Sequence, residues 1–110
     1  MSLGDLDEHL IVPKRLAALG LLAAASKAEF SYLRDQLDLT DSDMSKQLKV
    51  LSDAGYVTSK RTGKGKTRAS WFSITKDGRR ALDRHAAALR ALVEPTVAPV
   101  VAAPLGEIVR

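Results

Sequence analysis

Residues 60 to 68 read Lys60-Arg61-Thr62-Gly63-Lys64-Gly65-Lys66-Thr67-Arg68, five cations in nine residues with no acid among them. Clustered lysine and arginine neutralise phosphates and displace their condensed counterions, and no other stretch of the chain is so biased. The two glycines allow a tight loop and let backbone N–H groups approach a phosphate. They are not a nucleotide-binding loop, because no helix with a Lys-Ser/Thr pair follows them. A basic loop alone can also serve simply to protect a sheet edge, the less frequent case. A second group of polar residues lies just before it. At 100° per residue, Ser42, Ser45, Lys46 and Lys49 project from one side of a helix whose opposite side carries Met44, Leu48 and Leu51. Short hydroxyls reach base edges of several kinds, and lysine reaches phosphate or guanine, so this flank suits the DNA major groove.

Other chemistries find little support. There is no cysteine, which removes disulfides, thiolate zinc sites and thiol redox sensing. His9 and His85 are the only histidines and neither has a second ligand at metal-site spacing, so neither a metal nor another cofactor is expected. Asp77 and Asp83 have no nucleophile or cleft near them in the pattern and read as solvated helix charges; no catalytic residue is assigned. His85 is expected at a surface or interface, and Trp71 against the last helix or a partner chain. The 110 residues carry a net charge of +4, which permits an anionic partner. The longest apolar run, Leu16 to Ala25, is too short for a bilayer span, and the acidic start does not resemble a secretory signal, so a cytoplasmic protein is expected.

The elements that must position these groups can be read from period and punctuation. Pro13 suits a helix start, and Lys14 to Ala25 forms a first helix with no polar face, which demands burial on two sides: the domain's own core and, most simply, a second copy of the chain. Lys27 to Phe30 can form a short strand. Phe30, Leu33 and Leu37 then mark a second helix, and Asp38-Leu39-Thr40 breaks it. Thr40 is placed to cap a third helix, with Asp43 at its third position, and Gly55 stops that helix. From Tyr56 the period becomes two, giving strand, glycine-bearing loop and strand to Ile74, with Phe72 and Ile74 facing inward and Trp71 outward. Thr75-Lys-Asp-Gly opens a last helix with Leu82, Ala86, Leu89 and Val93 in a stripe. The fold class is therefore mainly α with a small β-hairpin, in the order α-β-α-α-β-β-α. An N-terminal arm (1–9) precedes the domain (10–92). A tail (93–110) holding Pro95, Pro99 and Pro104 follows it, with an extended path over a dimer or disorder both open.

Leu39-Thr-Asp-Ser-Asp-Met-Ser-Lys-Gln-Leu-Lys-Val-Leu-Ser-Asp-Ala-Gly-Tyr-Val57 and Ile74-Thr-Lys-Asp-Gly-Arg-Arg-Ala-Leu82 resemble the winged helix-turn-helix transcriptional regulators related to the MarR and ArsR proteins. The resemblance covers roughly residues 10 to 92. It implies a homodimer on double-stranded DNA, binding a pseudo-palindromic operator, with recognition helices in successive major grooves and wings along the flanking backbone or minor groove. Ser42, Ser45, Lys46 and Lys49 take the recognition-helix role, and Lys64, Lys66 and Arg68 the wing-tip role, with Lys60, Arg61 and Thr67 beside them. Leu16, Leu19, Leu22, Leu82, Leu89 and Leu92 are the expected dimer contacts. The metal-sensing cysteines of ArsR proteins and the long extra helices of full MarR proteins are absent, so any small-molecule effector stays unassigned. The expected function is a sequence-specific regulator, a repressor by its small size; the alternative is a winged-helix module that docks a protein without specific DNA binding.

Overall fold

The computed structural model describes residues 3–96. After a 3₁₀ turn at Leu3–Asp5 the elements are α1 (Pro13–Ala25), β1 (Lys27–Glu29), α2 (Phe30–Leu37), α3 (Asp41–Asp53), β2 (Val57–Thr62), β3 (Ala69–Ile74) and α4 (Lys76–Val93). This is the winged helix-turn-helix order expected from the sequence. The questions about the proline-containing tail fall on residues outside those described beyond Thr96.

Helix α1 is the hub, in contact with α2, α3, α4, β1 and β3. Its Ala18, Leu19 and Leu22 enter a core completed by Leu10, Ala28, Leu33, Met44, Leu48, Leu51, Val57 and Ala81. Each of the leucine, methionine and valine side chains contributes roughly 1.5–3 kcal/mol on leaving water. Three residues, Asp38 to Thr40, join α2 to α3, and the turn is sharp because Asp38 takes the left-handed conformation (φ 54°). Aspartate is among the few residues that tolerate this region.

The sheet has the order β1-β3-β2 and is antiparallel throughout. Val57 pairs with Ile74 and Ser59 with Phe72, and Val57, Phe72 and Ile74 pack into the core formed with the helices. Ala28 opposite Phe72 ties the three-residue β1 to the same face. The hairpin is thereby stitched to the start of α2 as well as to the end of α3. Helix α4 enters through a Thr75 cap, whose side chain accepts from the Gly78 N–H at 2.9 Å and donates to the Gly55 carbonyl at 2.7 Å. Gly78 is required by contact: a Cβ there would lie 2.2 Å from the Tyr56 carbonyl oxygen.

Residues 3–11 lie across the domain as a strap. Leu10 is fully buried, and the Asp7 N–H donates to His85 Nδ1 at 2.9 Å. The Tyr56 hydroxyl donates to the Asp7 carboxylate, and the His9 N–H donates to it at 2.8 Å. His85, expected at a surface or interface, is instead 0% exposed on the inner stripe Gly78, Ala81, His85 of α4. The strap covers it. No helix among the described residues is long and apolar enough to cross a membrane.

Candidate nucleic-acid interface

Helix α3 begins as its sequence demands. Thr40 Oγ1 accepts from the Asp43 N–H at 3.1 Å, satisfying one of the free donors of the first turn. Met44, Leu48 and Leu51 are buried, while Ser42, Ser45, Lys46 and Lys49 are all exposed on the other flank. The acids of this helix, which would repel a phosphate, are each matched by a cation. Asp41 accepts from Arg34 at 2.9 Å, Asp43 pairs with Lys14, and Asp53 pairs with Lys49 at 3.2 Å. Bonds from Lys14 and Gln47 hold the Asp43 carboxyl below the usual carboxylate range, and bonds to Asp35 and Asp41 keep the Arg34 guanidinium firmly charged.

Behind this flank the inner stripe of α3 carries a polar residue that sequence reasoning missed. Gln47 is only 5% exposed. Its Oε1 accepts from Arg15 Nη1 at 2.9 Å, and its Nε2 donates to Asp43 Oδ1 at 2.8 Å. Arg15 Nε in turn donates to the His9 carbonyl at 2.7 Å. The available signal was the position of Gln47 three residues after Met44 and four before Leu51, where an apolar side chain belongs.

The wing is β2, its tip and β3. Register pairs Thr62 with Ala69, leaving six residues to turn. Gly63 has φ 79°, and a Cβ there would meet the Thr67 carbonyl oxygen at 2.2 Å, so glycine is needed twice over. A 3₁₀ turn at Gly65–Thr67 completes the tip. The Thr67 hydroxyl donates to the Lys64 carbonyl at 2.8 Å and accepts from the Lys64 N–H at 3.1 Å. Thr67, expected as a DNA contact, is exposed and also holds the tip closed with its hydroxyl. Lys60, Arg61, Lys64, Lys66 and Arg68 are all exposed, and among the described residues none forms an ion pair. Arg61, Lys66 and Arg68 edge a concavity of about 770 Å³ that reaches Glu29, Phe30 and Ser31. Trp71 lies on the outward face of β3 with the Lys27 ammonium 5.5 Å from its ring centroid, a cation–π contact between neighbouring strands.

The six leucines assigned to a dimer contact divide. Leu19 and Leu22 are 0% exposed inside the chain's own core and present nothing to a second copy. The periodicity of α1 could not separate the two burials its apolar surface required. Leu16 and Leu82 are half-buried against that core, and Leu89 and Leu92 are half-buried beyond it, toward the exposed Val93. No group of three or more His, Cys, Asp or Glu side chains gathers to hold a metal among the described residues.

Comparison with known proteins converges on this architecture. The sequence profile of the family described as "Winged helix DNA-binding domain" matches residues 14–93. An uncharacterised protein of Methanocaldococcus jannaschii is 35% identical over 72 residues, covering 64% of this chain and 77% of that one. A transcriptional regulator homologue from Pyrococcus horikoshii superposes with a TM-score of 0.74 at 26% identity, covering 80% of this chain and 87% of that one. A zinc-responsive MarR family member from Lactococcus lactis shares the fold, with a TM-score of 0.56 at 20% identity over 88% of this chain and 73% of that one.

Proposed function

We propose that this chain, which belongs to the winged helix DNA-binding domain family and resembles a transcriptional regulator homologue in structure, is a sequence-specific DNA-binding repressor acting as a homodimer on a pseudo-palindromic operator. The observation that carries the reading is the joint exposure, on consecutive elements, of the hydroxyl and lysine flank of α3 and of five unpaired wing cations. Two surfaces of different chemistry suit two tasks. Ser42, Ser45, Lys46 and Lys49 meet base edges and nearby phosphates in the major groove. Lys60, Arg61, Lys64, Lys66 and Arg68 hold the flanking backbone. Leu16, Leu82, Leu89 and Leu92 supply apolar surface for the second protomer. Two-fold symmetry sets the half-sites about 34 Å apart, one turn of the duplex.

Selection of bound fragments from random duplex DNA with the purified protein tests the reading, with light scattering on the complex. The expected result is an inverted-repeat motif bound by two chains, with affinity falling steeply as salt rises. A protein that stays free of random DNA at low salt, where a DNA binder associates at about 100 micromolar or better, would sink it.

A further inference from the structure

We infer that Gln47 and Arg15 are positioning residues for base recognition: they lock the rotation of α3 about its own axis against α1, and so decide which exposed side chains of α3 meet the bases. The inference rests on the reading of α3 as the recognition helix. Neither residue belongs to the exposed flank. Gln47 sits in the apolar stripe with Met44, Leu48 and Leu51, where leucine would fill a similar volume. Apolar packing is non-directional and tolerates a small roll of the helix, whereas hydrogen bonds do not. Here Gln47 is held at both ends, by Arg15 at 2.9 Å and by Asp43 at 2.8 Å, while the second oxygen of Asp43 binds Lys14. Two consecutive residues of the first turn of α1 thus grip two successive turns of α3. Arg15 is itself anchored to the His9 carbonyl of the strap. A roll of about 20° would carry a side-chain tip, at a radius of about 6 Å, through about 2 Å. That displacement breaks a hydrogen bond to a base edge but leaves a flexible lysine within reach of a phosphate. The polar clamp therefore governs specificity and leaves non-specific affinity alone.

The test compares the wild-type chain with Gln47→Leu, each measured on the sequence the wild type selects and on a scrambled duplex, at several salt concentrations and beside a melting curve. The expected result is a folded variant with unchanged affinity and salt slope on scrambled DNA, and a ratio of specific to scrambled affinity reduced about tenfold. Arg15→Lys, which keeps the charge but cannot hold His9 and Gln47 together, should lower the ratio in the same way. It decides the matter if the leucine variant does not fold. An unchanged ratio in either folded variant overturns the inference, and so does an equal loss on both duplexes. A wild-type chain that selects no sequence overturns the operator reading and this inference together, whereas a selecting wild type with indifferent variants overturns this inference alone.

Discussion

Along the wing five cations stand exposed and, among the described residues, none is in an ion pair, whereas on α3 all three acids are paired and one of the two lysines is tied to Asp53. The wing cations are free to follow a phosphate wherever it runs. The side chains of α3 stand on a helix fixed from behind by Lys14, Arg15 and Arg34. One region offers net charge with little constraint, the other constrained geometry with little net charge. On the proposed reading the first would govern how strongly a polyanion is held and the second how selectively.

The largest effect should come from breaking the wing side of this contrast. Replacing Lys64, Lys66 and Arg68 together by Glu is expected to weaken binding to every duplex about a thousandfold at moderate salt and to flatten the salt dependence by about 0.9 per lost phosphate contact. A titration by fluorescence anisotropy over a salt series reads both quantities. An unaltered salt slope would remove the wing from the interface. Next in size, Ser45→Ala or Lys46→Ala should change the preferred base at one or two operator positions by about tenfold, with little change on scrambled DNA. Repeating the selection with each variant checks this, and a uniform loss would reassign the residue to phosphate contact.

Acid should reach the two regions differently. The Asp43 carboxyl, held down by Lys14 and Gln47, has a folded pKa below its unfolded value. Its pairing therefore stabilises the protein fully above the unfolded pKa of about 4 and is lost as pH falls through the lower folded value. Asp43→Asn should accordingly lower the Tm at pH 7, and its difference from wild type should close as the pH is taken from about 5 toward 3. Thermal melts across that range give the answer; a difference that persists at the acid end would mean that the carboxylate charge of Asp43 is not what stabilises the fold. The smallest effect is expected from Asp53→Asn, which frees Lys49 from an exposed i, i+4 pair. DNA of any sequence should then bind about two- to threefold more tightly, with stability changed by only a few tenths of a kcal/mol.

How much of this was legible in the sequence depended on the distance along the chain between the partners. The order of elements, the Thr40 cap and the three-residue turn before α3 are local, written in period and punctuation within a few positions. So was the opposition of Met44, Leu48 and Leu51 to the polar flank. The clamp was not, because Lys14 lies 29 residues from Asp43 and Arg15 lies 32 from Gln47, separations that leave no repeating signal. The same holds for His85, whose partner Asp7 is 78 residues away, so nothing local in the sequence separates a buried histidine from one at a surface or interface. Leu19 and Leu22 failed for another reason. A helix apolar all round announces that it will be covered, and the sequence does not say which side its own fold covers.

The strap has a practical corollary for anyone who would shorten this protein. The family match begins at residue 14, yet the polar groups that seal His85 and brace Arg15 come from residues 7 and 9, and Leu10 plugs the core beside them. Among the described residues His85 Nε2 has no hydrogen-bond partner, so removing Asp7 would take the bond from the other ring nitrogen as well. A fragment trimmed to the homologous limits would keep every helix and the whole hairpin, but it would open a wet seam into its interior. The packed core of this molecule reaches beyond the motif it displays.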